Sequence, residues 1–190
     1  MVFISQTWQI KKVKPKFDDP RRDARMYKWL SHKYIKAKYS LWIDSNVKIN
    51  VDIDQLIEEY LKDTDIALYE HNVRNCIYKE AEVCKMLKLD YPEIIDKQIA
   101  RYRAEGYPEN NGLHATGIIL RRHTEDIKEL NKAVWKEIQN GSVRDQLCFD
   151  YVIWKLGIKV NNFDRTKHYF TIKNHKKDRA KYVSSLHNHI

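Results

Sequence analysis

Leu41-Trp42-Ile43-Asp44-Ser45-Asn46-Val47 is an apolar run that ends on a carboxylate and, two residues later, an amide. Such a run reads as a buried strand, which puts Asp44 at its carboxyl end. In open α/β sheets ligands bind outside the carboxyl ends of the strands, and a hard divalent cation carrying a diphosphate needs oxygen donors there. The competing reading is an Asx turn, in which Asp44 or Asn46 only hydrogen-bonds nearby backbone. The rest of the chain has to choose between them.

Outward from this stretch, strand and helix signals alternate without repeats, which predicts a layered α/β domain. Phe3-Ile4 and Trp8-Gln9-Ile10 read as short strands. Asp18-Asp19-Pro20 opens a helix carrying Ala24, Tyr27, Trp29 and Leu30, with proline suited to an early helical position. Residues 54–61 read as a helix, 66–69 as a strand, and 77–87 and 92–105 as helices, the last ended by Gly106 and Pro108. Residues 113–120 form a strand with Gly117 inside it, a place where another group often approaches closely. Thr124 is placed to cap a helix with Ile127, Leu130, Val134 and Ile138 on one face. Gly141 closes it, and Ser142 is expected to start the next helix, through about Leu156.

The 190 residues suit one domain with a proper core. Cys76, Cys84 and Cys148 lack the spacing of a zinc site or a disulfide framework, so a reducing compartment is expected. No apolar run approaches the roughly 20 residues of a membrane span. The 35 basic against 26 acidic residues give a net charge of +9, which favours anionic partners. Part of the excess lies in Lys11-Lys12-Val13-Lys14-Pro15-Lys16 and in Lys173-Asn174-His175-Lys176-Lys177-Asp178-Arg179. No zinc-finger, RNP-type or helix-turn-helix signature accompanies the charge, so nucleic acid is not the expected partner.

Several blocks recur together: Ala24-Arg25-Met26-Tyr27-Lys28, Leu41 to Asn46, Glu70-His71-Asn72-Val73-Arg74-Asn75-Cys76-Ile77-Tyr78-Lys79-Glu80-Ala81, Gly112-Leu113-His114-Ala115-Thr116-Gly117-Ile118-Ile119-Leu120-Arg121 and Arg144-Asp145-Gln146-Leu147. In this order they resemble the glycosyltransferase-like domain of plant proteins linked to seed mucilage and turgor control, and of microbial relatives. The resemblance spans about residues 3 to 160. It implies a single GT-A-like domain over residues 1–165, with a mixed, mostly parallel sheet flanked by helices, followed by a basic segment, 166–190. It also implies a nucleoside-diphosphate sugar donor, Mn²⁺ or Mg²⁺, and transfer of the sugar to a glycan or other acceptor.

Carried onto this sequence, the resemblance makes Asp44, Asn46 and His175 the metal residues, with His168 a competitor for the last role. Asn46 stands where the usual pattern has a second aspartate, and an amide ligates without supplying charge. Arg25, Lys28, Asp44, Ser45, Asn46, Gln146 and Lys176 would hold the donor. Arg25 and Lys28 are three apart on one helix and could present two cations to a diphosphate, or else form a solvated face. His71, Arg74, Thr116 and Gly117 would contact sugar or acceptor. Asp145 would be the catalytic base or hold the sugar, although Ser142-Val143-Arg144-Asp145 also fits a helix capping arrangement.

Relatives usually begin with another strand that cradles the nucleotide base, and here Met1 stands almost directly before the apparent second strand. Part of the donor site is therefore expected to be absent. A non-catalytic carbohydrate- or nucleotide-binding protein of the same fold is the alternative. The expected location is cytoplasmic, at most peripheral to a membrane.

Overall fold

The computed structural model describes residues 11–173. The expected strands at Phe3-Ile4 and Trp8 to Ile10, and the run containing His175, Lys176 and Lys177, lie outside the described residues.

The quoted stretch is a strand. β1 (Tyr39–Ile43) pairs antiparallel with the long β4 (His114–Arg122), Ile43 opposite Ile118. β4 also pairs antiparallel with β3 (Ile66–Glu70), and β3 pairs parallel with the short β5 (Asn161–Asn162). The order is β1-β4-β3-β5. β1, β3 and β5 therefore run the same way with β4 reversed between them. Asp44, His71 and the amino half of β4 consequently share one edge of the sheet. β2 (Val47–Ile49) and β6 (Phe170–Ile172) form a separate antiparallel pair beside that edge.

Side-chain alternation explains the two layers. Ile66, Leu68 and Ile119 face one core with helices α1 (Pro20–Trp29), α4 (Ile77–Met86), α5 (Pro92–Ala104), α6 (Glu125–Asn140) and α7 (Phe149–Leu156). Ala67, Ile118 and Leu120 face a smaller core with α3 (Ile53–Tyr60), Phe163 and Tyr169. A four-residue helix, α2 (Ser31–Tyr34), links α1 to β1. β6 and Tyr169 place residues 169–172 within this fold.

Local chemistry accounts for the helix ends. Asp19 accepts from the Arg21 amide at the start of α1, with Pro20 at the first helical position. Asp52 does the same for α3. Thr124 holds the cap position of α6, yet its hydroxyl donates to Asp65 rather than to the helix. Gly141 ends α6 under Gln98: a Cβ there would stand 2.7 Å from Gln98 Oε1. Ser142 does not start a helix. Its hydroxyl donates to Asp90 and accepts from the Arg144 amide, so the chain turns through a 3₁₀ segment at Asp145–Leu147 before α7 begins. Cys76, Cys84 and Cys148 are all buried thiols.

Candidate active site

Asp44 leaves β1 pinned on three sides. Its amide donates to the Gly117 carbonyl at 2.9 Å, its carbonyl accepts from the Val47 amide, and Trp42 Nε1 donates to Oδ1 at 2.9 Å. The other oxygen lies over Gly117, where an added Cβ would stand 3.2 Å from Oδ2. Gly117 was expected to let a ligand or another backbone approach; the group that approaches is the Asp44 carboxylate itself. Gly117→Ala should crowd that oxygen by a few tenths of an ångström. The expected result is near-normal thermal stability with the amide signals of Asp44 to Asn46 shifted, measured by NMR.

A cleft of about 360 Å³ opens beside this carboxylate. Asp44, Asn46, Asn72, Arg165, Lys167 and His168 give it polar walls, and Val47, Tyr69, Phe170 and Ile172 give it an apolar flank. Ala115 and Gly117 form part of its floor, whereas Thr116 between them is buried. A larger groove of about 950 Å³ lies among α1, α5, α6 and α7, away from these strand ends.

The cleft's cations are Arg165 and Lys167, neither of which belongs to a block that carries the family resemblance. Arg165 donates to the Glu70 carbonyl and lies over the Tyr69 ring, 5.2 Å from its centroid. Lys167 pairs with Glu59. Asn46 donates its amide to the Lys173 carbonyl at 3.2 Å, so the amide oxygen is the atom chemically suited to a cation. Ser45 is exposed in the turn. The Asp44 carboxylate and the Asn46 amide are oxygen donors of the kind a hard divalent ion takes, and other oxygens would have to complete its shell. They do not make a protein-only site, and among the described residues no group of three or more His, Cys, Asp or Glu could hold a metal.

Behind Asp44 lies a buried ionic cluster. Asp145 Oδ1 meets Arg25 Nε at 3.0 Å, and Oδ2 meets Lys28 Nζ at 2.6 Å and Trp29 Nε1 at 3.0 Å. Burial pushes the Asp145 pKa up, but Lys28 and Arg25 outweigh it and hold the carboxyl well below the usual carboxylate range. Burial works against the Lys28 charge, while Asp145 and, more weakly, Asp44 support it. Lys28 Nζ also lies 5.7 Å from the Trp42 ring centroid. The structure thus brings Arg25, Lys28, Asp44 and Asp145 together, but in a different pairing from the one expected. Arg25 and Lys28 converge on Asp145 rather than opening toward a diphosphate. Nor does Asp145 cap a helix with its side chain, because its oxygens face these partners. Gln146 is half-buried and accepts from Arg144.

His71 sits at the carboxyl end of β3 and accepts from the Val73 and Arg74 amides through Nδ1, organising the loop. Arg74 is committed to Glu80 at 2.6 Å.

His114 was overlooked within its block. Its ring bonds the buried Asp150 at 2.5 Å and Asn162 at 3.1 Å, joining β4, α7 and β5 at the cleft edge. Burial opposes its charge, but the Asp150 hydrogen bond outweighs that and raises the pKa above its ordinary 6.5. A raised folded-state pKa contributes stability that is present below pH 6.5 and lost as pH rises through the raised value. His114→Gln should therefore lower the melting temperature most at pH 5.5, and the deficit should shrink toward pH 9.

Residues 3–186 match a family described as TOD1/MUCI70, glycosyltransferase-like domain. The chain belongs to this family. It is 31% identical over 157 residues to the "Probable hexosyltransferase MUCI70" of Arabidopsis thaliana, which covers 76% of this chain and 27% of that protein. The chain thus spans about a quarter of that relative. Among solved structures it resembles a glycosyltransferase involved in the glycosylation of the major capsid of PBCV-1, with TM-score 0.51, 13% identity, and 90% of this chain and 81% of that one covered. Mouse xyloside xylosyltransferase 1 in its apo form scores 0.43, at 15% identity over 75% of this chain and 51% of its own. The TOD1/MUCI70 domain here has a GT-A-like fold, a mixed sheet flanked by helices, as its sequence blocks implied.

Proposed function

We propose that this domain binds a nucleoside-diphosphate sugar in the Asp44 cleft and transfers the sugar to a glycan or other acceptor. The observation that carries the reading is the pinned Asp44 carboxylate facing a cleft that also holds Arg165 and Lys167. One wall suits a diphosphate and its cation; the apolar flank suits a base or sugar face. A bound Mn²⁺ or Mg²⁺ would neutralise diphosphate charge and assist departure of the nucleotide. Asp44 and Asn46 would hold that ion, with His168 at the cleft and His175 in the segment beyond it as further donors. Arg165 would fork onto phosphate oxygens. Lys176, if it reaches the cleft, would add a cation.

Ser45 and Gln146 would border the donor, and His71 and Gly117 would shape the sugar and acceptor end, with the buried Thr116 beneath that floor. Asp145 acts in this account as a positioning residue: it holds Arg25 and Lys28 behind Asp44. A buried carboxylate paired to two cations and held well below the usual range is a poor proton acceptor at neutral pH. Binding without transfer is the second reading, and the burial of Asp145 favours it. Screening nucleotide-sugars for metal-dependent binding and hydrolysis tests both. Mn²⁺ alone should bind weakly, and Mn²⁺ with a nucleoside diphosphate should raise the melting temperature. Binding with no turnover on any donor would leave the second reading standing, and no binding would remove both.

A further inference from the structure

The opposite edge of the sheet carries an unbalanced charge. Arg121, at the end of β4, is fully buried. Nη1 donates to Asn131 Oδ1 at 3.0 Å and Nη2 to the Lys28 carbonyl at 2.9 Å. Among the described residues Nε has no hydrogen-bond partner, and no carboxylate pairs with the guanidinium. Burying a charge without a counter-charge is costly, and native structures rarely leave it so.

Other unsatisfied groups surround it. His123 Nδ1 and Nε2, His32 Nε2 and Ser40 Oγ are buried without partners among the described residues. Ser40 stands directly opposite Arg121 in the β1–β4 ladder, so the two side chains project to the same face. The His32 and His123 rings lie 6.4 Å apart. The largest charges acting on these rings are cationic, Arg121, Lys33, Lys128 and Lys132, with the Glu125 carboxylate also coupled to His32. Lys128 is paired with Glu125, while nearby Asp65 is taken by Arg122 and Thr124.

We propose that Arg121, His32, His123 and Ser40 form a binding site for a small oxyanion of the phosphate or sulfate class. A guanidinium edge, two imidazoles and a hydroxyl supply N–H and O–H donors from different elements, which suits a tetrahedral acceptor better than a planar carboxylate or a halide. Because Arg121 itself is fully buried, an anion would reach it only with the two half-buried rings turned aside. Burial, with Arg121, His32 and Lys128, pushes the His123 pKa down to about 4, and burial alone pushes Arg121 down to about 9. A bound anion would reverse both effects. This site stands independently of the Asp44 cleft.

The test follows the histidine ring protons of the full chain by NMR while inorganic phosphate is added, with sodium chloride at equal ionic strength as the comparison. Phosphate should shift the His32 and His123 signals, raise the His123 pKa by about one unit or more, and do so equally in Arg165→Ala, whose change lies in the cleft. His123→Gln, a half-buried and conservative change, should weaken phosphate binding about tenfold, the loss expected when one hydrogen bond to a charged group is removed. Ser40→Ala should weaken it less. Signals unmoved by phosphate, moved equally by chloride, or moved only while Arg165 is present would overturn the proposal, the last by placing the anion in the cleft alone.

Discussion

Asp145→Asn should destabilise the protein by about 3–5 kcal/mol, because it leaves the buried Lys28 without its counter-charge. At 1% side-chain exposure Lys28 has no access to water, and its Nζ sits 2.6 Å from the carboxylate that would be neutralised. For a chain of this size the melting temperature should fall by roughly 10 °C. A helix-capping role would predict no more than about 1–2 kcal/mol. The mechanism has its own check in the double variant Lys28→Met with Asp145→Leu. Removing this pair should recover part of the loss, since an apolar replacement of a buried ion pair is often neutral or better, while the part-exposed Arg25 keeps its charge without Asp145. An Asp145→Asn protein as stable as its parent would mean that the cluster is not a pillar of the fold. The acid side follows the same logic. A lowered folded-state pKa contributes stability that is fully present above the ordinary carboxylate pKa and is lost progressively as pH falls below it and through the lowered folded-state value.

Asp44→Ala should have the opposite profile: a stable protein that no longer binds nucleotide. Asp44 is half-buried, and apart from its backbone bonds its one side-chain hydrogen bond among the described residues is with Trp42. Stability should therefore change by no more than about 1 kcal/mol. Loss of the only carboxylate that lines the cleft among the described residues should weaken metal-dependent nucleotide binding by roughly 100-fold or more, as when one member of a charge-assisted contact is removed. Unchanged affinity in a calorimetric titration would remove Asp44 from the site.

The contrast between these two aspartates shows what the sequence could and could not convey. Asp44 was legible because its position depends on local facts: an apolar run long enough for a strand and a turn directly after it. The helices were legible for the same reason, through periodic Ile127, Leu130, Val134 and Ile138 and through Gly141. Asp145 was not legible as an ion-pair centre, because Arg25 and Lys28 lie more than a hundred residues away and only the fold brings them together. The spacing Ser142 to Asp145 pointed to a cap, but Asp90 and Asp145's own cations compete for those groups. Arg165 and Lys167 follow a two-residue strand with no hydrophobic pattern, so nothing local marked them as a cleft wall, whereas His168 beside them was already a competitor for the metal role.

The most direct measurement is paramagnetic broadening by Mn²⁺ in the isotopically labelled full chain, with and without a nucleoside diphosphate. The account predicts that, with nucleotide present, amide signals broaden around Asp44 to Asn46, Ala115 to Gly117 and Arg165 to His168. Along β4 the broadening should fall off from Gly117 toward His123. Broadening centred anywhere else, or none when nucleotide and Mn²⁺ are both present, would contradict it.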